Sequence, residues 1–176
     1  MTHHLSRRRF LSATGGLVVA GSSSVLASDK ERLDVVDCHT HFYDPTRPGG
    51  IPWPRKGSSL FRTVLPKHLR ALEHARKVTG TVIIEASNRL EDNQWLLDLA
   101  DKEPFLLGVV GRVDPTSDEF EKHLHRFAKN PRYRGIRISY GELPNGMKEG
   151  GKLVERCQLL IDHGLGLDTN GGHDMP

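Results

Sequence analysis

The chain has 176 residues, of which 36% are hydrophobic and 27% charged, a length that suffices for one hydrophobic core but not for two. Its formal charge of +3 comes from three arginines among the first 27 residues, a stretch without acids, so the remaining 149 residues carry 22 basic and 22 acidic side chains. The body of the chain is therefore neutral, which argues against a nucleic-acid-binding or membrane-binding surface.

The first 27 residues resemble a twin-arginine export signal rather than part of a folded domain. Arg7, Arg8 and Arg9 precede an apolar run over residues 11–27 that contains glycine and serine but no charge. The run falls short of the about 20 apolar residues that a membrane-spanning helix needs, although an uncleaved anchor is the alternative. We therefore expect a signal over residues 1–27, export to the periplasm or the medium, and one domain over residues 28–176.

The first predicted strand, residues 35–42, ends in two histidines one residue apart. Alternation along a strand places Asp37, His39 and His41 on one face, with the two imidazoles about 7 Å apart along the backbone. Such a pair can bind one divalent ion or one substrate oxygen, and Asp37 can fix a histidine tautomer. The alternative is a strand end whose histidines face solvent.

A long loop follows this strand. Residues 43–59 contain four prolines and three glycines, a composition incompatible with regular structure and typical of functional loops. Because the loop leaves the strand end that carries the histidines, Trp53 can fold over the site as a lid. Packing of Trp53 within an ordinary surface loop is the alternative.

From Pro66 onward, amphipathic helices alternate with apolar strands. The predicted strands cover residues 35–42, 81–84, 105–113, 135–139 and 165–168, and four helices lie between them, the second of which is capped by Asp92 or Asn93. This alternation predicts an α/β fold of parallel βα units. Two architectures fit five strands and four helices: a doubly wound sheet, and the first half of a (β/α)8 barrel.

Polar side chains stand where three of the predicted strands end. Glu85 ends an apolar strand and can act as a ligand or a base, unless it is an exposed strand-end acid. Arg112 and Arg137 can bind a substrate carboxylate through bidentate contacts, or form salt bridges between strands. Ser139 shares the face of Arg137 and is expected to point at the same pocket.

Weaker candidates lie elsewhere in the chain. Asp168 and His173 follow the fifth predicted strand and are possible metal ligands. Cys38 and Cys157 fall on separate elements, so we expect two small buried hydrophobic residues rather than a disulfide.

Six short motifs in this order together resemble the amidohydrolase-related family, in particular its sugar-lactone hydrolase branch. They are DCHTH at residues 37–41, PWP at 52–54, EAS at 85–87, EDNQWL at 91–96, GVVG at 108–111 and RGIR at 134–137. The resemblance covers about residues 33–170 and implies a distorted (β/α)8 barrel with its site at the carboxyl ends of the strands. It thereby favours the half barrel over the doubly wound sheet.

The resemblance also implies a chemistry. Family members direct a water molecule at the carbonyl carbon of a lactone, ester or amide, with His39 and His41 as ligands of a divalent metal, zinc first, or as hydrogen-bond partners of the substrate in metal-free members. They also use a histidine and an aspartate from later strands. This sequence ends before those strands. We therefore expect a small-molecule hydrolase truncated to about half a barrel, with a second copy covering its open edges, or else a non-catalytic remnant or small binding domain.

Overall fold

A computed structural model of the chain describes residues 35–72, 77–148 and 150–171. The predicted export signal at residues 1–27 and the candidate ligand His173 lie outside these ranges. Among the described residues, no helix is long and apolar enough to cross a membrane.

One parallel sheet of five strands forms the centre of the fold. The strands are β1 (Val35–Thr40), β2 (Val78–Ile84), β3 (Leu106–Gly111), β4 (Tyr133–Ser139) and β5 (Gly166–Asn170), and they lie in the order β1-β2-β3-β4-β5. A doubly wound sheet reverses its strand order at a switch point, whereas a (β/α)8 barrel does not. The unreversed order therefore confirms the predicted half barrel.

The four predicted helices are present, and the described residues contain one more. The helices are α1 (Pro66–Arg70), α2 (Leu90–Lys102), α3 (Phe120–Ala128), α4 (Leu143–Gly146) and α5 (Leu153–Asp162), and a 3-10 helix (Tyr140–Glu142) precedes α4. The sequence prediction missed α4 because Pro144 and Gly146 are typical of loops. Pro144 nevertheless fits the first turn of a helix, where its missing N–H removes no hydrogen bond.

The core lies between the sheet and its helices. In α3, Phe120, Leu124 and Phe127 recur at helical spacing and are almost completely buried. They pack in one cluster with Ile136 and Ile138 of β4. Since replacing such a phenylalanine with alanine costs about 3–5 kcal/mol, this layer holds the carboxyl ends of the central strands in place.

Two expectations for individual residues prove wrong. Cys38 is exposed rather than buried, and within the described ranges its strand β1 has a neighbouring strand on one side only. Cys157 is half-buried rather than fully buried, and both thiols are free in this structure. Asp92 and Asn93 do not cap α2 but lie buried inside its first turns, since both side chains bind residues of other elements.

Candidate active site

A cavity of about 450 Å³ opens at the carboxyl ends of the five strands. Each strand contributes to its wall through its last residue or the residues just after it. The lining residues are His41, Trp53, Glu85, Ala86, Ser87, Asn88, Arg112, Arg137, Ile138, Ser139, Glu142 and Asn170. The position is that of the active site in (β/α)8 enzymes.

The two histidine rings lie next to each other, but His39 is exposed and is not among the residues that line the cavity. The two ring centroids are 5.1 Å apart, and His41 lines the cavity. The Nδ1 atom of His41 lies 2.7 Å from the carbonyl oxygen of Ile84. Because that oxygen can only accept, Nδ1 carries the proton and donates, which leaves Nε2 with a free lone pair.

The electrostatic surroundings keep His41 neutral. Burial lowers the pKa of His41, and the charges of His39 and Arg137 act in the same direction. Together they outweigh the hydrogen bond to the Ile84 carbonyl and the charge of Asp168, which raise this pKa. The expected role of Asp37 proves wrong, since its Oδ1 accepts a hydrogen bond from the backbone N–H of His39 at 3.0 Å. The carbonyl of Ile84, not Asp37, fixes the tautomer of a cavity histidine.

Trp53 covers His41, with ring centroids 5.4 Å apart in an edge arrangement. The indole also contacts Tyr43, at 5.5 Å between ring centroids. Trp53 itself remains 39% exposed. Trp53 thus lines the cavity beside His41 and also packs against Tyr43 of its own loop.

The loop that carries Trp53 is tied to helix α2. Arg47 pairs with Asp92 at 2.7 Å, and its guanidinium lies 4.1 Å from the ring centroid of Trp95. Arg89 donates to the carbonyl oxygens of residues 49 and 50. The buried Asp92 therefore acts on the site at a distance, by holding the loop.

Glu85 is buried at the end of β2, only 7% exposed, which excludes the alternative of an exposed strand-end acid. Its Oε1 accepts a hydrogen bond from the backbone N–H of Ser87. Its Oε2 has no hydrogen-bond partner among the described residues. Burial raises the pKa of Glu85 to about 7, although backbone hydrogen bonds from Ser87 and Ala86 oppose the rise.

Arg112 reaches the cavity but is already paired. Its Nη1 and Nη2 donate to the two carboxylate oxygens of Glu142 at 3.0 and 2.7 Å. Nη1 also donates to the carbonyl oxygen of Arg137 at 3.1 Å. The salt-bridge alternative for Arg112 is therefore what the structure contains, although its partner lies on the 3-10 helix rather than on a strand.

Arg137 has a carboxylate partner too. Its Nε lies 3.0 Å from Oδ2 of Asp168 on the adjacent strand β5. The two atoms are not aligned as a hydrogen bond, so we describe the contact as an ion pair. Asp168 thus faces Arg137 and stands in for the substrate carboxylate that the sequence analysis placed there.

Several residues of the site were missed from the sequence, among them Asn88, Glu142, Asn170 and Asn93. Glu142 and Asn170 line the cavity. The buried amide of Asn93 accepts from the backbone N–H of Arg112 and donates to its carbonyl oxygen, which fixes the end of β3. Only Glu142 had a sequence signal, the Ser-x-x-Glu spacing of a capping box that begins at Ser139.

The histidine pair offers nitrogen atoms of the kind that bind a divalent ion, but fewer of them than a catalytic site normally uses. The free Nε2 of His41 is the type of atom that binds zinc, and His39 lies beside it. Catalytic zinc sites use three protein ligands as a rule. The described part of the chain contains no group of three His, Cys, Asp or Glu side chains arranged to hold a metal.

Comparison with known proteins decides the family. The amidohydrolase family profile matches residues 36–158, more than half of the chain and all of the elements that line the cavity except β5. The chain belongs to the amidohydrolase family. This amidohydrolase is 31% identical over 135 residues to the L-fucono-1,5-lactonase of Burkholderia ambifaria, an alignment that covers 76% of this chain and 47% of that protein. The chain therefore spans about half the length of this curated relative.

Solved structures agree with the fold. A Burkholderia multivorans amidohydrolase with bound zinc is 27% identical, with a TM-score of 0.52, over 60% of this chain and 37% of that one. A probable 2-pyrone-4,6-dicarboxylic acid hydrolase from Acinetobacter baumannii matches with a TM-score of 0.58 over 78% of this chain and 49% of that one. At 15% identity, the second likeness concerns the fold alone.

Proposed function

We propose that this amidohydrolase hydrolyses a neutral sugar lactone in the cavity at the strand ends. The observation that carries the proposal is the meeting there of a neutral His41 with a free Nε2 and a buried Glu85 whose pKa of about 7 suits proton transfer at neutral pH. The L-fucono-1,5-lactonases among its relatives support the lactone class.

In this proposal Glu85 moves the proton. Its carboxylate takes a proton from a water molecule while the water oxygen bonds to the lactone carbonyl carbon. The carbon–oxygen bond of the ring then breaks, and the protonated Glu85 returns the proton to the departing ring oxygen, which gives the hydroxy acid. His41 orients the water through Nε2, and Trp53 packs on the sugar ring and excludes bulk solvent.

The charges around the cavity favour a neutral substrate. Arg112 is paired with Glu142 and Arg137 with Asp168. Neither arginine therefore offers a free positive charge to a carboxylate. We propose that the arginines and Asn170 bind substrate hydroxyl groups instead of a substrate carboxylate.

Three further parts of the proposal concern the surroundings of the site. As an alternative to the metal-free arrangement, His39 and His41 would hold a divalent ion, preferably zinc, and Nε2 of His41 would then bind the ion instead of the water. When bound, the ion would polarise the carbonyl group and lower the pKa of a water molecule. A second copy of the chain would cover the open edges of the sheet, where Val36 of β1 and Leu167 of β5 are exposed. Residues 1–27 would direct export to the periplasm or the medium.

A non-catalytic binding domain is the second candidate. It is favoured by one observation, that the described residues contain no group of three side chains arranged to hold a metal ion. Such a domain would bind the lactone without turning it over.

A hydrolysis assay separates the two candidates. The full chain is incubated with neutral aldono-1,5-lactones, with and without zinc, at several protein concentrations, and acid release is followed with a pH indicator. We expect a rate above spontaneous hydrolysis, a specific activity that rises with concentration if two copies pair, and a loss of about 10²–10⁴-fold in Glu85→Gln. His125→Gln, an exposed change on α3 outside the cavity, is the matched control and keeps the wild-type rate.

No rate above the spontaneous one under any of these conditions would reject the hydrolase and leave the binding domain. A wild-type rate in Glu85→Gln would reject the assigned base.

A further inference from the structure

Arg112 and Glu142 form an ion pair in the wall of the cavity. In this pair, Glu142 takes the position in which a substrate carboxylate was expected to bind Arg112. Both side chains line the cavity, and they remain 20% and 29% exposed. The two contacts at 3.0 and 2.7 Å form the bidentate fork that arginine uses to recognise a carboxylate. Glu142 thus fills a carboxylate-binding site with a group of the protein itself.

Both partners of this pair are held in place by the backbone. The N–H of Ser139 donates to Oε2 of Glu142 at 2.6 Å. On the other side, the carbonyl oxygen of Arg137 accepts from Nη1 of Arg112, and Asn93 fixes the backbone of Arg112 itself. The fork is therefore preorganised. When a carboxylate binds there, the arginine side chain loses little further rotational freedom.

Glu142 stays charged at neutral pH. Burial opposes its ionisation, but the hydrogen bonds from Arg112 and from the N–H of Ser139 outweigh burial and lower its pKa. Asp114 is a second acid near Arg112, yet it is exposed, and its Oδ1 accepts two hydrogen bonds from Thr116. Of the two acids, Glu142 is the one that occupies the fork.

We propose that Glu142 is a specificity-determining residue, which excludes carboxylate-bearing substrates from the cavity by occupying the guanidinium fork of Arg112. The inference rests on the proposed function, since it states why the site accepts a neutral lactone. It also implies that a single change at position 142 converts the wall from neutral-selective to carboxylate-binding. A purely structural Glu142 would tie the segment Tyr140–Glu142 to β3 without affecting which ligands bind.

The test measures ligand binding and requires no turnover. The full chain and its Glu142→Gln variant are titrated calorimetrically with malonate, a small dicarboxylate, and with malonamide, its neutral counterpart of the same size. We expect Glu142→Gln to bind malonate at least about tenfold more tightly than the wild type, and malonamide equally. In the double variant Arg112→Met, Glu142→Gln the gain for malonate disappears, because the fork is gone.

Equal malonate affinity in wild type and Glu142→Gln, or a gain that survives loss of Arg112, would overturn the proposal. Circular dichroism checks the folding of each variant. If Glu142→Gln does not fold, Glu142→Asp replaces it, because aspartate keeps the charge but has a shorter side chain. We expect Glu142→Asp to give a smaller gain in malonate affinity. If neither variant folds, Glu142 is a structural residue and the proposal is rejected. A chain without lactonase activity that still shows the gain would reject the proposed function and leave the role of the fork standing.

Discussion

At the scale of single residues, Glu85 lies in an environment that is costly for its charge. Burial raises its pKa from 4.5 to about 7, so the folded state prefers the neutral form. This preference stabilises the fold fully below about pH 4.5 and is lost as the pH rises through about 7. The cost of the buried charge is then on the order of 3 kcal/mol.

We therefore predict that Glu85→Gln raises the free energy of unfolding at pH 8 relative to wild type and changes it little at pH 4.5. Glutamine is neutral at both pH values and keeps an oxygen for the N–H of Ser87. Urea unfolding of both proteins at the two pH values measures the difference, with the exposed Glu121→Gln on α3 as control. Parallel pH dependence of Glu85→Gln and wild type would show that the Glu85 charge is not buried at a cost.

At the scale of elements, the loop after β1 depends on helix α2 for its position. Asp92, buried in the first turns of α2, pairs with both Arg47 and Arg89, at 2.7 and 3.1 Å. These arginines in turn hold the segment that leads to Trp53. Removing one partner of a buried ion pair costs about 3–5 kcal/mol, and we expect about half of that here because both arginines are partly exposed.

We predict that Asp92→Asn loosens this loop while the barrel strands stay folded. Trypsin should cleave after Arg55 or Lys56 at least several times faster than in wild type, because a loosened loop fits the protease. Asp98→Asn, an exposed change on the same helix, is the matched control. Equal cleavage rates in Asp92→Asn and wild type would contradict the anchoring role of Asp92.

At the scale of the whole molecule, the sequence predicts the architecture well and the contacts within the site poorly. The alternation of apolar strands and amphipathic helices suffices to predict the five strands. The positions of the strand ends suffice to place four polar residues at the carboxyl end of the sheet: His41, Glu85, Arg112 and Arg137. That much follows from local pattern, since parallel strands bring their carboxyl ends together.

The partners of those residues do not follow from local pattern. Arg112 pairs with Glu142, which lies 30 residues away in the sequence. Asn93 binds the backbone of Arg112, 19 residues away in the sequence. Such pairings depend on how the helices and loops pack on the sheet. The hydrophobic periodicity of the sequence does not predict that packing. The exposure of Cys38 does not follow from local pattern either, because only the sheet order shows that, within the described ranges, β1 has a neighbouring strand on one side only.

The most direct test of the account is calorimetric titration of the full chain with a lactam analogue of an aldono-1,5-lactone, a neutral ring that resists hydrolysis. We predict saturable binding that is weakened about tenfold in Trp53→Ala, because the contact surface over the sugar is lost, and that is unchanged in His125→Gln. Absence of binding, or equal affinity in Trp53→Ala and wild type, would contradict a lactone site between His41, Glu85 and Trp53.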